Sequence, residues 1–150
     1  MRVSVIGGGT VSDADAETAR RVGRLLAERG HTVVCGGLSG VMRAACRGAS
    51  QADGETIGIV PGEDRASANE FVTTPIATGL GNARNVLVVL NGDAAIAVDG
   101  STGTLSEIGH ALDFGRPVAG LDAFEVPGVE AVETPLEAVD YVERAVDADG

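Results

Sequence analysis

Glycines gathered at the ends of apolar runs are where this sequence could do chemistry. The most pointed case is Asp99-Gly100-Ser101-Thr102-Gly103-Thr104-Leu105-Ser106-Glu107, which follows an apolar run and opens a helical one. Glycines there let an anion approach unpaired backbone N–H groups, the helix N-terminus adds positive potential, and Thr104 offers a hydroxyl. Glu107 carries two readings. Thr104 to Glu107 spells T-x-x-E, a capping box that needs no ligand, and spacing alone puts capping ahead of catalysis. Two further glycine-rich turns, Gly7-Gly8-Gly9 and Gly36-Gly37-Leu38-Ser39-Gly40, follow other apolar runs. One such turn is a weak signal, because glycine serves tight turns of every kind. Three at strand ends predict a shared cleft for a phosphorylated, nucleotide-like ligand. Its binding residues are expected among Gly8, Gly9, Gly36, Gly37, Ser39, Gly40, Gly100, Ser101, Thr102, Gly103 and Thr104.

The first turn is not a dinucleotide fingerprint. The third glycine of that pattern would fall at position 12, which is Ser12, and the second apolar run ends in Cys35-Gly36 rather than in an acid that could hold a ribose. NAD is therefore disfavoured.

The elements that must position these turns alternate along the chain. Val3-Ser4-Val5-Ile6 reads as a strand. Residues 13–29 read as a helix with Ala16, Ala19, Val22 and Leu26 inward, stopped at Gly30. Thr32–Cys35 is a second strand, and a helix with Met42, Ala45, Cys46 and Ala49 inward follows. Strands are expected at 56–60, 71–76, 94–98 and 117–121, with a helix over 104–114 whose inward stripe is Leu105, Ile108 and Leu112. Thr134-Pro135-Leu136-Glu137 opens a last helix as N-cap, first-turn proline and capping acid, burying Leu136, Val139, Val142 and Val146. Residues 85–98 are ambiguous. Asn91-Gly92 between valine-rich runs is a local hairpin signal, whereas the βαβ rhythm makes 83–90 a helix, and the helix is preferred. The expected fold is α/β: a doubly wound, mainly parallel Rossmann-like sheet with helices on both faces, one nucleotide-binding domain over residues 1–150.

Composition narrows the function. The 150 residues include 22 acids against 11 bases, every base an arginine, for a net charge of −11. That balance repels a polyphosphate backbone, so no nucleic acid is expected as partner. An acidic, lysine-free chain also reads as adapted to high salt, the alternative being an arginine-biased genome. Without lysine there is no Walker A loop and no pyridoxal phosphate Schiff base. Cys35 and Cys46 read as small buried residues, and the reading calls for neither a metal nor a cofactor. No stretch is apolar enough for a membrane, and no signal-peptide pattern opens the sequence, which predicts a cytoplasmic protein.

Taken in order, Gly36-Gly37-Leu38-Ser39-Gly40-Val41-Met42, Gly58-Ile59-Val60-Pro61, Arg84 and Gly100-Ser101-Thr102-Gly103-Thr104-Leu105-Ser106-Glu107 resemble the LOG (LONELY GUY) proteins. These are nucleoside 5′-monophosphate phosphoribohydrolases, of a superfamily whose members were long labelled lysine decarboxylases. The similarity covers about residues 1–121 and is closer to a bacterial and archaeal branch of the superfamily. It implies a homodimer or higher oligomer, and catalytic roles for Arg84 and Glu107. On that implication water attacks C1′ of a nucleotide, Glu107 stabilises the oxocarbenium-like charge or activates the water, and Arg84 positions the sugar phosphate or the departing base. The chain departs from the family where Asp99 replaces a proline and where Asn82 and Asn85 replace the His and Lys beside the catalytic Arg. Those departures leave a second expectation, that of a non-catalytic nucleotide or molybdenum-cofactor carrier.

Overall fold

The computed structural model describes residues 1–149. In chain order its elements are β1 (Arg2–Gly7), α1 (Asp13–Glu28), β2 (Thr32–Cys35), α2 (Val41–Gln51), β3 (Thr56–Val60), β4 (Thr74–Ala77), α3 (Asn85–Leu90), β5 (Ala94–Val98), α4 (Thr102–Asp113), β6 (Val118–Leu121), β7 (Val129–Val132) and α5 (Pro135–Asp149). Short 3-10 turns occupy Arg65–Ser67 and Gly81–Arg84. The strands form one seven-stranded sheet in the order β4-β3-β2-β1-β5-β6-β7. Every neighbouring pair is parallel. The expected α/β sheet is therefore present, and it is parallel throughout.

Strand β5 shows why. Ala94, Ile96 and Val98 join the core under α1, α2 and α5, while Ala95 and Ala97 join the opposite core under α3 and α4. A strand apolar on both sides can sit only where helices cover both faces. With almost no aromatic bulk, the helices approach closely through small residues. A Cβ added to Gly23 would lie 1.9 Å from the Ala45 carbonyl oxygen, and one added to Gly48 would lie 1.8 Å from that of Arg20. On an open helix Gly→Ala stabilises by about 1 kcal/mol. At Gly48 the added methyl must push α1 and α2 apart, and overpacking costs about 1–3 kcal/mol. Gly48→Ala is therefore expected to lower the urea midpoint; a raised midpoint would show that the helices are not in contact there.

Several expected boundaries shift. The 83–90 helix becomes the 3-10 turn Gly81–Arg84 running into α3, with Val88 and Val89 buried. The hairpin alternative is excluded because β5 pairs in parallel with β1, and Asn91 instead closes α3, its Nδ2 donating to Leu87 O at 2.8 Å. The strand expected at 71–76 starts at Thr74. Phe71 is held outside it, its amide donating to Asn69 Oδ1 and its ring lying 5.0 Å beneath the Arg43 guanidinium. Strand β7 was not expected at all.

Four inward stripes are also corrected. In α4 the buried residues are Thr104, Glu107, Ile108 and Ala111, while Leu105 is exposed and Leu112 only half-buried. In α5 they are Pro135, Ala138, Val139 and Val142, with Leu136 exposed and Val146 half-buried. Ala16 and Met42 are half-buried rather than core.

Candidate ligand-binding site

The sheet order reverses between β1 and β5. Everything up to β4 is laid down on one side of β1, and the chain then returns to build the other side. Loops leaving the carboxyl ends of β1 and β5 therefore diverge, and the crevice between them is where doubly wound sheets bind ligands. A cleft of about 200 Å³ lies there, lined by Gly7 and Gly9 after β1, by Gly36, Leu38 and Met42 after β2, by Asn82, Arg84 and Asn85, and by Ser101, Gly103, Thr104 and Glu107 at the start of α4.

Arg84 reaches the cleft because the 3-10 turn before α3 aims it under β2. Its guanidinium is 5% exposed. Nη2 donates to the Gly36 carbonyl oxygen at 3.3 Å, Nη1 donates to Asn85 Oδ1, and Nε has no partner among the described residues. A Cβ at Gly36 would fall 2.9 Å from Nη2 and 2.7 Å from the Met42 sulfur, so a side chain there would displace the ends of both cleft-lining side chains. Burial pulls the Arg84 pKa down, against the charge of Glu107. The group nonetheless stays a cation in the physiological range.

Glu107 stands across the cleft, 8% exposed. It makes no ion pair with Arg84 among the described residues, whose ion pairs all lie elsewhere. Burial pushes its carboxyl up to about 8, and Arg84 offsets this only in part. At neutral pH Glu107 is thus mainly a neutral acid and a hydrogen-bond donor. Asn85 Oδ1 is engaged by Arg84, so its Nδ2 remains to donate, and the first amides of α4 have no acceptor inside the helix. Arginine, neutral acid, amide and helix N-terminus together make a wall of donors. Such a wall fits an oxyanion such as phosphate.

The capping reading of Glu107 is overturned. Helix α4 begins at Thr102 with Ser101 as N-cap, and Thr104 Oγ1 accepts from the Ser101 amide at 3.3 Å. The cap is Ser101–Thr104, three residues before Glu107, which leaves the acid free for the cleft. Ser101 and Thr104 therefore serve the turn itself as well as lining the site.

Of the expected binding residues, Gly9, Gly36, Ser101, Gly103 and Thr104 line the cleft together with Arg84 and Glu107. Gly8, Gly37, Ser39, Gly40, Gly100 and Thr102 do not. They shape the loops instead. The Gly8 carbonyl accepts from the Val41 amide at 3.0 Å, Ser39 Oγ donates to Gly9 O at 2.9 Å, and Gly40, at φ 67°, caps α2 against Gly8. Gly37 donates to Cys35 Sγ at 3.3 Å, and Gly100 lies against Phe124. Asp99, which stands where the family has a proline, is absent from the lining; it sits at φ 52° with its amide on Leu121 O at 3.0 Å. The residues not anticipated are Asn82, Asn85, Leu38 and Met42. Only the two asparagines had a signal, as departures beside Arg84.

Cys35 and Cys46 are both buried, with sulfurs 3.5 Å apart behind the cleft floor. Contact with Cys46 and burial raise the Cys35 thiol. Among the described residues no group of three or more His, Cys, Asp or Glu could hold a metal ion. No helix there is long and apolar enough to cross a membrane.

Comparison with known proteins gives this geometry a context. The model of the SLOG cluster4 family matches residues 1–148. A relative from Archaeoglobus fulgidus, an uncharacterized protein, is 43% identical over 142 residues, covering 94% of this chain and 93% of its own. The molybdenum cofactor binding protein of Rippkaea orientalis superposes with a TM-score of 0.91 at 32% identity, over 97% of this chain and 96% of that one. The molybdenum cofactor carrier protein of Chlamydomonas reinhardtii does so with a TM-score of 0.89 at 30% identity, over 97% and 98%.

Proposed function

The chain belongs to the SLOG cluster4 family, and from that premise we propose that it binds the molybdenum cofactor in the cleft between β1 and β5 and holds it without cleaving it. The observation that carries this reading is a nearly buried Arg84 with an orphaned Nε, facing an acid that is neutral at physiological pH. The cofactor is a pterin ending in a phosphate, with a dithiolene that ligates molybdenum. Its phosphate suits the donor wall. Arg84 supplies charge and a directional fork, Asn85 Nδ2 a further donor, and the α4 amides a positive end. Glu107 adds a proton to share without adding charge, so it does not repel the anion. The protein side of such a complex is binding and shielding.

The test is direct. Cofactor released from a denatured molybdoenzyme, mixed with the protein and passed through a sizing column under reducing conditions, is expected to travel with the protein at about one per chain. Free cofactor alone in the late fractions would refute carriage. Sedimentation of the same sample reports the expected homodimer, and the acidic surface predicts that a DNA oligonucleotide is not retained.

Hydrolysis of the N-glycosidic bond of a nucleoside monophosphate is the second reading. The proton on Glu107 favours it, being available to a departing base. That same proton weighs against the roles the family resemblance implies, since stabilising an oxocarbenium-like charge or activating water requires a carboxylate. Incubation with a panel of nucleoside monophosphates separates the readings. Ribose 5-phosphate release that vanishes in Glu107→Ala establishes hydrolysis; no release, or release indifferent to that change, removes it.

A further inference from the structure

The cleft is too small for the ligand proposed for it. Pockets that enclose a drug-sized molecule run from roughly 300 to 1,000 Å³, and this one holds about 200 Å³. A second hollow of about 480 Å³ opens between the first turns of α1 and α2 and shares Gly9 with the cleft as a common rim. Its floor is apolar, from Val11, Ala16 and Ala44, and three of the chain's 11 arginines, Arg20, Arg43 and Arg47, stand around it with the acids Asp13 and Glu17.

These arginines are not equivalent. Arg20 is occupied by Glu17 and Gln51, and Arg43 is tied through Nε to Glu70. Arg47 has no ion pair among the described residues. Helix α2 begins between the two spaces without a side-chain cap, its Met42 lining the cleft and its Arg43 lining the hollow. In a chain of net charge −11, this hollow carries more cations than anions, three guanidinium groups against the carboxylates of Asp13 and Glu17.

We infer that the ligand lies across Gly9. Its compact phosphate end sits in the cleft against Arg84, and a flat, negatively charged heterocyclic portion sits in the hollow, on Ala16 and Ala44 and beneath the Arg47 guanidinium. Guanidinium planes stack on heterocycles and attract anions, and an apolar floor takes the other ring face. Gly9 is the gap that lets such a ligand pass. The atom nearest to a Cβ added there is Ser39 Oγ at 3.8 Å, so a side chain at this position fits the fold and stands in the ligand's path. The ligand class that follows is an elongated molecule with a phosphate at one end and an anionic ring system at the other, rather than a compact sugar phosphate. The inference rests on the carrier reading for the identity of the ligand.

Arg47→Glu and Arg47→Ala test it, each with two probes, the molybdenum cofactor by equilibrium binding and inorganic phosphate by thermal shift. Cofactor affinity is expected to fall about tenfold or more in both variants, the scale of a reversed charge or a lost charged contact. The phosphate shift is expected to match wild type, because phosphate needs only the cleft. Variants that bind cofactor as wild type does, or that lose phosphate together with it, overturn the inference and leave carriage standing. A wild-type protein that takes phosphate but no cofactor overturns both.

Discussion

Glu107→Gln is expected to remove most of the pH dependence of stability that one buried acid imposes on this fold. The Glu107 carboxyl titrates near 8 in the folded protein against an ordinary value of 4.5. Below about pH 4.5 both folded and unfolded chains carry the proton, and the group is neutral in its effect. As the pH rises the unfolded chain ionises first, which lowers the free energy of the unfolded state while the folded state cannot follow. The penalty grows by at most about 1.4 kcal/mol per pH unit and levels off above pH 8, where the folded carboxyl ionises too. Stability contributed by this site is therefore greatest in acid and is lost between about pH 4.5 and 8. Urea unfolding of wild type and Glu107→Gln at pH 5, 7 and 9 measures it. The two are expected to lie close at pH 5 and to separate by a few kcal/mol at pH 9, with the Gln variant the more stable. Parallel curves at all three values would mean that water reaches Glu107 freely and that the donor wall loses its acid. The same proton governs binding. An anion beside Glu107 favours its neutral form, so affinity is expected to decline above pH 8 in wild type and to hold in the Gln variant.

Much of this arrangement could be read from residue order. Alternating apolar runs and helical stripes announce a parallel sheet, and the three glycine turns fall at strand ends that the sheet reversal then gathers. What the sequence concealed has identifiable causes. Strand β7 is four residues long, reads Val129-Glu130-Ala131-Val132, and follows Pro127-Gly128, so it carries no apolar run to notice. Asn91-Gly92 is a strong hairpin signal in isolation, and only pairing of β5 with β1, more than 80 residues away, overrides it. Leu105 is the larger apolar group at the start of α4 and so draws the expected stripe to itself. The helix instead turns Thr104 and Glu107 inward, where they meet the cleft. That face carries a hydroxyl and a carboxyl, so hydrophobic periodicity could not find it. The capping pattern at Thr104 was genuine chemistry in the wrong register, since the cap runs from Thr104 back to Ser101. Asn85 shows a further limit. Its role depends on which of its two amide atoms Arg84 engages, and spacing carries no information about that.

Arg84 is where binding and folding pull in opposite directions, and replacing it should separate them. The side chain is nearly buried, its desolvation lowers its pKa, and its Nε is unsatisfied, so the folded protein holds it at a cost. Arg84→Met keeps the length and packing of the stem while removing charge and donors. Glu107 loses the one nearby charge that holds its pKa down and stays neutral over a wider range, so no uncompensated carboxylate appears at pH 7. Thermal stability is therefore expected to be retained or raised. Ligand affinity is expected to fall about 10- to 100-fold, since a charge-assisted, partly desolvated contact is worth about 1.5–3 kcal/mol and each tenfold is 1.4 kcal/mol. Arg84→Lys keeps the charge without the planar fork and is expected to lie between the two. Equilibrium binding of the cofactor and of inorganic phosphate to all three proteins, beside their melting temperatures, gives the answer. A Met variant that melts early and binds poorly would make Arg84 a structural residue whose loss disorders the cleft. A Met variant that is stable and binds as wild type would move the anion site away from β1 and β5 altogether. A Met variant that is the more stable protein and the weaker binder would explain the burial of Arg84 by what it binds.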